Sequence, residues 1–290
     1  MIPTEHDAFY ATLTSRNRGL LGPREQLLVR TTRFVLAGCG STGGACVLPL
    51  VRSGAEHFVL LDPGTYELDN LNRQDATLED VGANKALVQA RNISAVNPYA
   101  TTEVHPEGVQ VETIARVLRR GDLVVDAVDV TTQPGVDAKL ALHDAACQLH
   151  LRVLTAYDIA TTQYLELFDY RYERQPLGGR VAPGLGPNQV LRALIPPRVL
   201  PRNIFPELHE RLRDPDRPLP QLMMTSTLLG ALIVPYLIRV LLEQPVRRRL
   251  RVDLWEILKP LPVAFLERQR RWAGLARLWW AFRRQRSEHA

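Results

Sequence analysis

Residues Phe34 to Asp62, FVLAGCGSTGGACVLPLVRSGAEHFVLLD, constrain this chain more than any other stretch. Phe34 to Ala37 form an apolar strand, Gly38, Gly40, Gly43 and Gly44 follow in a loop, and a small-residue helix leads to a second apolar strand ending on Asp62. That is a βαβ unit with G-x-G-x-x-G at the strand-to-helix turn. Such glycines allow a tight turn and bring backbone N–H groups against a phosphate at the positive end of the helix. An acid at the end of the second strand is placed to bind ribose hydroxyls, which makes Asp62 a nucleotide-binding candidate. On this fingerprint alone the default ligand is NAD, and an NAD(P)-dependent oxidoreductase is one reading.

After a Pro63-Gly64 turn comes an insertion, Glu67 to Asp75, that is long for a strand-to-helix connection. It sets Asn70, Arg73 and Gln74 beside the nucleotide mouth. Thr77 and Asp80 give a helix-start signal that runs on through Lys85 to Ala95, where Asn97-Pro98 stops it. Lysine occurs only at Lys85, Lys139 and Lys259, every other basic residue being Arg. Arg73, as a planar fork, and Lys85, as a compact point charge, are therefore candidates to hold phosphates. Leu123 to Val128 read as a buried strand carrying Asp126, with Asp129 just beyond it. Ligands of parallel sheets gather at the carboxyl ends of strands, so Asp129 is the candidate Mg²⁺ ligand and Asp126 supports the loop from within the strand. Helix Val136 to Leu149 and strand Arg152 to Ala156 add a further repeat. The fold class is α/β, a doubly wound, mostly parallel, Rossmann-like sheet.

Composition narrows the setting. Cys39, Cys46 and Cys147 form no C-x-x-C pair, so neither a disulfide framework nor a cysteine zinc site is expected, and a reducing cytoplasm fits. The N-terminus has no apolar signal core. Net charge is +5 and no recognition motif accompanies it, so nucleic acid is not an expected partner.

The set G38CGSTGG, D62, N70LNRQ74, K85 and D126AVD129 resembles the ThiF/MoeB/HesA family of ubiquitin-activating-enzyme-like adenylyltransferases. The likeness runs from about Arg16 to Ala160, with a weaker echo at Ser226 to Val240. It implies that the glycine loop and Asp62 bind ATP, that Asn70, Arg73 and Lys85 contact the phosphates, and that Asp129 holds magnesium. It also implies a dimer in which an arginine of the N-terminal arm reaches the other subunit's phosphates; Arg18 is the nearest match, with Arg16 in reserve. The implied reaction is attack of a C-terminal carboxylate on the α-phosphate of ATP, with a ubiquitin-like protein, a sulfur carrier or a ribosomal peptide as acyl donor.

The chain departs from the family pattern in three respects. It lacks the zinc cysteines, it has no cysteine after Cys147 to form a thioester, and Val130 stands where an Asn often follows the magnesium Asp. It reads as adenylation-only, and a catalytically idle nucleotide-binding scaffold is a further alternative. Three regions are expected: an arm at 1–30, an ATP-binding domain at 31–245 with a Pro/Gly-rich crossover or lid loop at about 173–222, and a basic amphipathic tail at 246–290. The apolar run Leu222 to Leu242 carries Thr225, Ser226, Thr227, Gly230, Pro235 and Arg239, which favours a buried helix over a membrane span. In the tail, Trp272, Leu275, Leu278, Trp279 and Phe282 share a helical face ringed by Arg270, Arg271, Arg277, Arg283 and Arg284. That face can dock on a partner, on an anionic membrane or on the chain's own domain.

Overall fold

The structure, a computed structural model, describes residues 2–288 except 212, 213, 215, 216 and 218; the side chains at 267, 268, 271, 278, 279 and 281–288 are outside the description. Seven strands make one sheet: β1 (Arg33–Ala37), β2 (His57–Leu61), β3 (Thr101–His105), β4 (Leu123–Asp126), β5 (Arg152–Ile159), β6 (Thr162–Asp169) and β7 (Arg249–Asp253). Their order is β3-β2-β1-β4-β5-β6-β7. The first five pair in parallel, as in Val35 against Val59 and Val124, and β6 and β7 add an antiparallel edge. The helices are α1 (His6–Leu13), α2 (Pro23–Thr31), α3 (Gly44–Arg52), α4 (Lys85–Val96), α5 (Ile114–Val117), α6 (Gln133–Gln148), α7 (Pro187–Leu194), α8 (Phe205–Glu210), α9 (Met223–Leu241), α10 (Leu254–Ile257) and α11 (Leu261–Glu288).

The central strands are apolar on both sides because both faces of the sheet are covered. Phe34 and Leu36 join Val47, Leu50, Ile93, Leu229, Ile233 and Leu237 in a core shared with α3, α4 and α9. Val35 and Ala37 face the other way, onto Ile114, Val136, Leu142 and Leu194 of α5, α6 and α7. Helix α9 is long and apolar enough to cross a membrane, yet it lies on α3 with Leu229, Ile233 and Leu237 fully buried.

Several boundaries differ from expectation for identifiable reasons. The Thr77/Asp80 capping box holds only a 3-10 turn, Leu78–Asp80, and α4 starts afresh with Asn84 capping Leu87 N–H. Val111, Ile114, Val117 and Leu118 are apolar at helical spacing, yet only the single turn α5 forms there. The segment 173–222 is not one loop. Pro187 and Pro206 sit at the first turns of α7 and α8, where a missing N–H costs nothing, and Val190, Leu194 and Ile204 are buried. The sheet takes in Arg249–Asp253, beyond the 245 boundary, because β7 pairs with β6. Helix α11 lies on its own chain: a Cβ on Gly274 would come within 2.4 Å of the Phe205 ring. Leu278, Trp279, Phe282, Arg271, Arg283 and Arg284 of the expected tail faces lie outside the described side chains.

Beneath the carboxyl end of β4 is a buried charged cluster. Asp126 Oδ2 accepts from Lys139 Nζ at 2.5 Å, His143 Nε2 at 2.9 Å and Thr155 Oγ1 at 2.9 Å. Burial pushes the Asp126 carboxyl up, but Lys139 and then His143 outweigh it and hold the group well below the usual range. Burial lowers the His143 pKa, so a neutral ring donates Nε2–H to Asp126 and accepts at Nδ1 from the Tyr170 hydroxyl at 2.6 Å. Breaking one partner of such a pair strands a charge. Lys139→Met is expected to cost about 3–5 kcal/mol in urea unfolding, and adding Asp126→Asn to recover most of it. A single variant as stable as the wild type would contradict this account of the cluster.

Candidate active site

The glycine loop joins β1 to α3 at the carboxyl edge of the sheet. Gly38 adopts φ +96°, and a Cβ there would stand 2.5 Å from the Ala127 carbonyl oxygen. A Cβ on Gly43 would stand 1.9 Å from the Gly38 carbonyl oxygen, so the turn closes only without side chains at both positions. Asp62 fixes the loop: Oδ2 accepts from Cys39 N–H at 2.6 Å and Oδ1 from Gly64 N–H at 2.7 Å. Among the described residues the amides of Gly40, Ser41 and Thr42 donate to no protein acceptor, which suits a phosphate seated on the start of α3.

A cleft of about 1970 Å³ opens from this loop. Gly38, Gly40, Asp62, Arg73, Gln74, Lys85 and Asp129 all line it. Arg73 Nη1 donates to the Asp69 carbonyl at 2.9 Å and to Asn72 Oδ1 at 3.2 Å, which leaves most of its fork unbonded. Lys85 has no carboxylate within ion-pair distance among the described residues and sits 5.7 Å from the Tyr66 ring centre. Asn70 and Gln74 are buried, and Asn70 Oδ1 and Gln74 Oε1 have no hydrogen-bond partner. A buried polar atom without a partner is costly, and at Gln74, on the cleft wall beside Gly40, a ligand removes that cost. Turned about its last bond, the Gln74 amide offers NH₂ to a phosphate oxygen. These groups fit a nucleoside triphosphate.

Asp129 lies past β4 in a tight turn, with Oδ1 accepting from Thr131 N–H and Oδ2 from Thr131 Oγ1, each at 2.9 Å. Among the described residues no group of three His, Cys, Asp or Glu side chains could hold a metal. Mg²⁺ takes only one or two protein carboxylates and completes its shell with phosphate oxygens and water, so Asp129 fits it together with a nucleotide. Val130 is buried, and Asp126 belongs to the cluster below the loop. Cys39 and Cys46 are fully buried with thiols pushed up by desolvation, and burial likewise raises Cys147; none has the lowered pKa of a nucleophile. Arg18 lines a separate depression with Thr14, Leu20 and Gln26, outside the cleft of its own chain.

The far half of the cleft is built by residues that the sequence pattern did not single out. Strand β5 continues three residues past Ala156 and delivers Asp158 to the wall, opposite Ile195, Leu200, Leu208 and, from α11, Trp272 and Leu275. Asp158 Oδ2 accepts from Ser226 Oγ at 3.0 Å and Thr225 Oγ1 at 3.3 Å, and Oδ1 from Gln163 Nε2 at 3.3 Å. Burial pushes its carboxyl up to about 6, against the pull of these bonds and of the Arg73 charge. The only sequence signal for it is an acid set among the apolar and small residues of a strand.

A mostly parallel sheet with a glycine loop, a carboxylate at the end of β2 and a cationic wall at its carboxyl edge defines a Rossmann-like α/β protein. The match to the ThiF family model extends over residues 14–256, and the chain belongs to the ThiF family. It is similar to the sulfur carrier protein adenylyltransferase of Thermus thermophilus, 36% identical over 110 residues, which are 38% of this chain and 41% of that protein. The chain thus aligns with less than half of that relative's length. Its fold resembles two Escherichia coli structures. One is the tRNA N6-threonylcarbamoyladenosine dehydratase TcdA, with TM-score 0.59 and 18% identity over 83% of this chain and 98% of that one. The other is MccB with MccA-N7isoAsn, with TM-score 0.59 and 17% identity over 79% and 63%.

The raised Asp158 value means that the folded protein binds this proton more tightly than the unfolded chain. The group therefore stabilises the fold below about pH 4 and costs stability as pH rises through about 6. Asp158→Asn is expected to raise unfolding stability at pH 8 by up to about 3 kcal/mol, a gain that vanishes near pH 4. Equal urea midpoints for the variant and the wild type at pH 8 would refute this.

Proposed function

We propose that this protein is an ATP- and Mg²⁺-dependent adenylyltransferase that activates the C-terminal carboxylate of a small ubiquitin-like or sulfur-carrier protein, or of a ribosomal peptide. The observation that carries the reading is Lys85: a cation without a counter-ion among the described residues, in one cleft with the glycine loop, Arg73 and Asp129. The adenylyltransferase name of the Thermus relative and an ATP complex of MccB support the same reading.

In the reaction, a carboxylate oxygen of the acyl substrate bonds to the α-phosphorus of ATP, the bond from that phosphorus to the bridging oxygen breaks, and pyrophosphate leaves. The chain supplies position and charge. Amides of the glycine loop hold phosphate oxygens, Asp62 orients the ribose, and Arg73 and Lys85 offset negative charge as it moves to the leaving group. Asp129 would hold Mg²⁺, which would supply positive charge against the phosphates. The apolar half of the cleft receives the acyl tail and keeps water from the mixed anhydride.

Arg73→Ala, Lys85→Ala and Asp129→Ala are each expected to slow ATP–pyrophosphate exchange about 10²–10³-fold, as loss of one preorganised charge does. Unchanged exchange in both Arg73→Ala and Asp129→Ala would overturn the reading. Arg18 lies outside its own cleft, and this supports a homodimer in which the arm of each subunit serves the other, in a reducing cytoplasm. Arg18→Ala and Lys85→Ala, each impaired alone, are then expected to regain exchange when mixed, because one cleft of each hybrid dimer is intact. Mixtures no more active than the separate variants would rule the dimer arrangement out.

A further inference from the structure

The cleft is lined by a pair of opposite charges. Arg73 stands on the nucleotide side and Asp158 on the acyl side. Three neutral donors hold the Asp158 carboxylate, two of them at 3.3 Å, and no cation forms an ion pair with it among the described residues. A carboxylate has about four acceptor positions, so at least one is left for a ligand. Beyond Asp158 the wall is mostly apolar, with Ile159, Ile195, Leu200, Leu208 and Trp272, and it also carries Arg192, Arg211 and Arg217. An anion kept in such surroundings is costly without a donor of its own.

We propose that Asp158 selects the acyl substrate by accepting an N–H donor carried next to the carboxylate that is activated. The inference rests on the adenylation reading and narrows it. Arg73 draws the carboxylate toward the nucleotide while Asp158 takes the adjacent nitrogen, so the terminal unit is gripped at both ends. The substrates admitted are amino acid units, in which a nitrogen and a carboxylate share one carbon. Fatty acids present the carboxylate with no donor beside it and leave Asp158 unpaired. The donor is either the amide N–H of a peptide's last residue or the ammonium of a free amino acid, and the apolar wall has room for the side chains of either. Asp158 is a positioning and selecting residue; the bond-making atoms belong to the carboxylate and the α-phosphate.

The test uses the full chain with ATP and Mg²⁺ in pyrophosphate exchange. The probes are a pool of decapeptides randomised in their last three residues, the same pool N-methylated at the final amide nitrogen, and free glycine and alanine. The wild type is expected to use the unmodified pool and to show a KM about tenfold higher for the methylated one, with kcat changed less than about twofold, the loss of one hydrogen bond to a charged group. Asp158→Asn is expected to show that same rise with the unmodified pool and no further rise on methylation. Exchange with free amino acids but not peptides, lost in Asp158→Asn, assigns the donor to the ammonium and supports the inference. Equal use of both peptide pools by the wild type, or an unchanged KM in Asp158→Asn, overturns it and leaves adenylation standing. Exchange by the wild type on none of these probes likewise overturns the inference.

Discussion

Lys139 ends inside the protein, its ammonium on Asp126 and its stem under the loop that carries Asp129. Taking two charges out of water costs several kcal/mol per ion and is repaid only when the geometry is tight and further hydrogen bonds fill the remaining positions. His143 and Thr155 fill them here, so the end of β4, one face of α6 and the middle of β5 hold a single arrangement. Asp126 also accepts the Val128 N–H at 3.1 Å, which pins the first residues of the loop. The glycine loop is packed against this same segment, since Gly38 lies under the Ala127 carbonyl. The separation between the phosphate loop and Asp129 is therefore set by a buried ion pair that touches no ligand.

Three aspartates at neighbouring strand ends show how environment divides one chemical group into different roles. Asp62 faces two backbone amides and serves as a brace for the glycine loop. Asp126 faces a lysine, stays ionised and stiffens the scaffold. Asp158 faces only hydroxyls and a side-chain amide, so its charge is poorly offset and its affinity for a proton rises. The same deficit gives it an affinity for a ligand N–H, and the stability it costs at neutral pH is the structural trace of that availability.

The nucleotide half of the site was legible because its chemistry is local. A tight turn needs Gly38 and Gly43, and Arg73 and Lys85 follow that turn within about fifty residues in sequence order. Periodicity likewise gave the strands and helices of the repeating βαβ units. What stayed hidden depends on contacts between distant segments. Lys139 and His143 lie one helical turn apart, but nothing in the sequence says that Asp126 and Tyr170 meet them. Asp158 escaped because the end of β5 is fixed by pairing with β6 rather than by a local stop signal. Prolines made 173–222 read as a loop, although proline at the first turn of a helix is favourable, and two helices use it that way.

Helix α11 bears on how the two halves of the cleft diverge. The family match ends at residue 256, and α11 begins at Leu261, yet Trp272 and Leu275 form part of the cleft wall. The phosphate loop, Lys85 and Asp129 fall within the matched region, as does the sheet that positions them. Part of the acyl-side wall thus comes from outside the shared domain, anchored where Gly274 meets the Phe205 ring of α8. A side chain at Gly274 would lift the helix from α8 and move Trp272 with it. Phosphate chemistry constrains the first half to a common geometry, because every triphosphate presents the same oxygens at the same spacing. The apolar half is under no such constraint, and a helix that follows the matched region can reshape it without disturbing the ion pair on which the glycine loop depends.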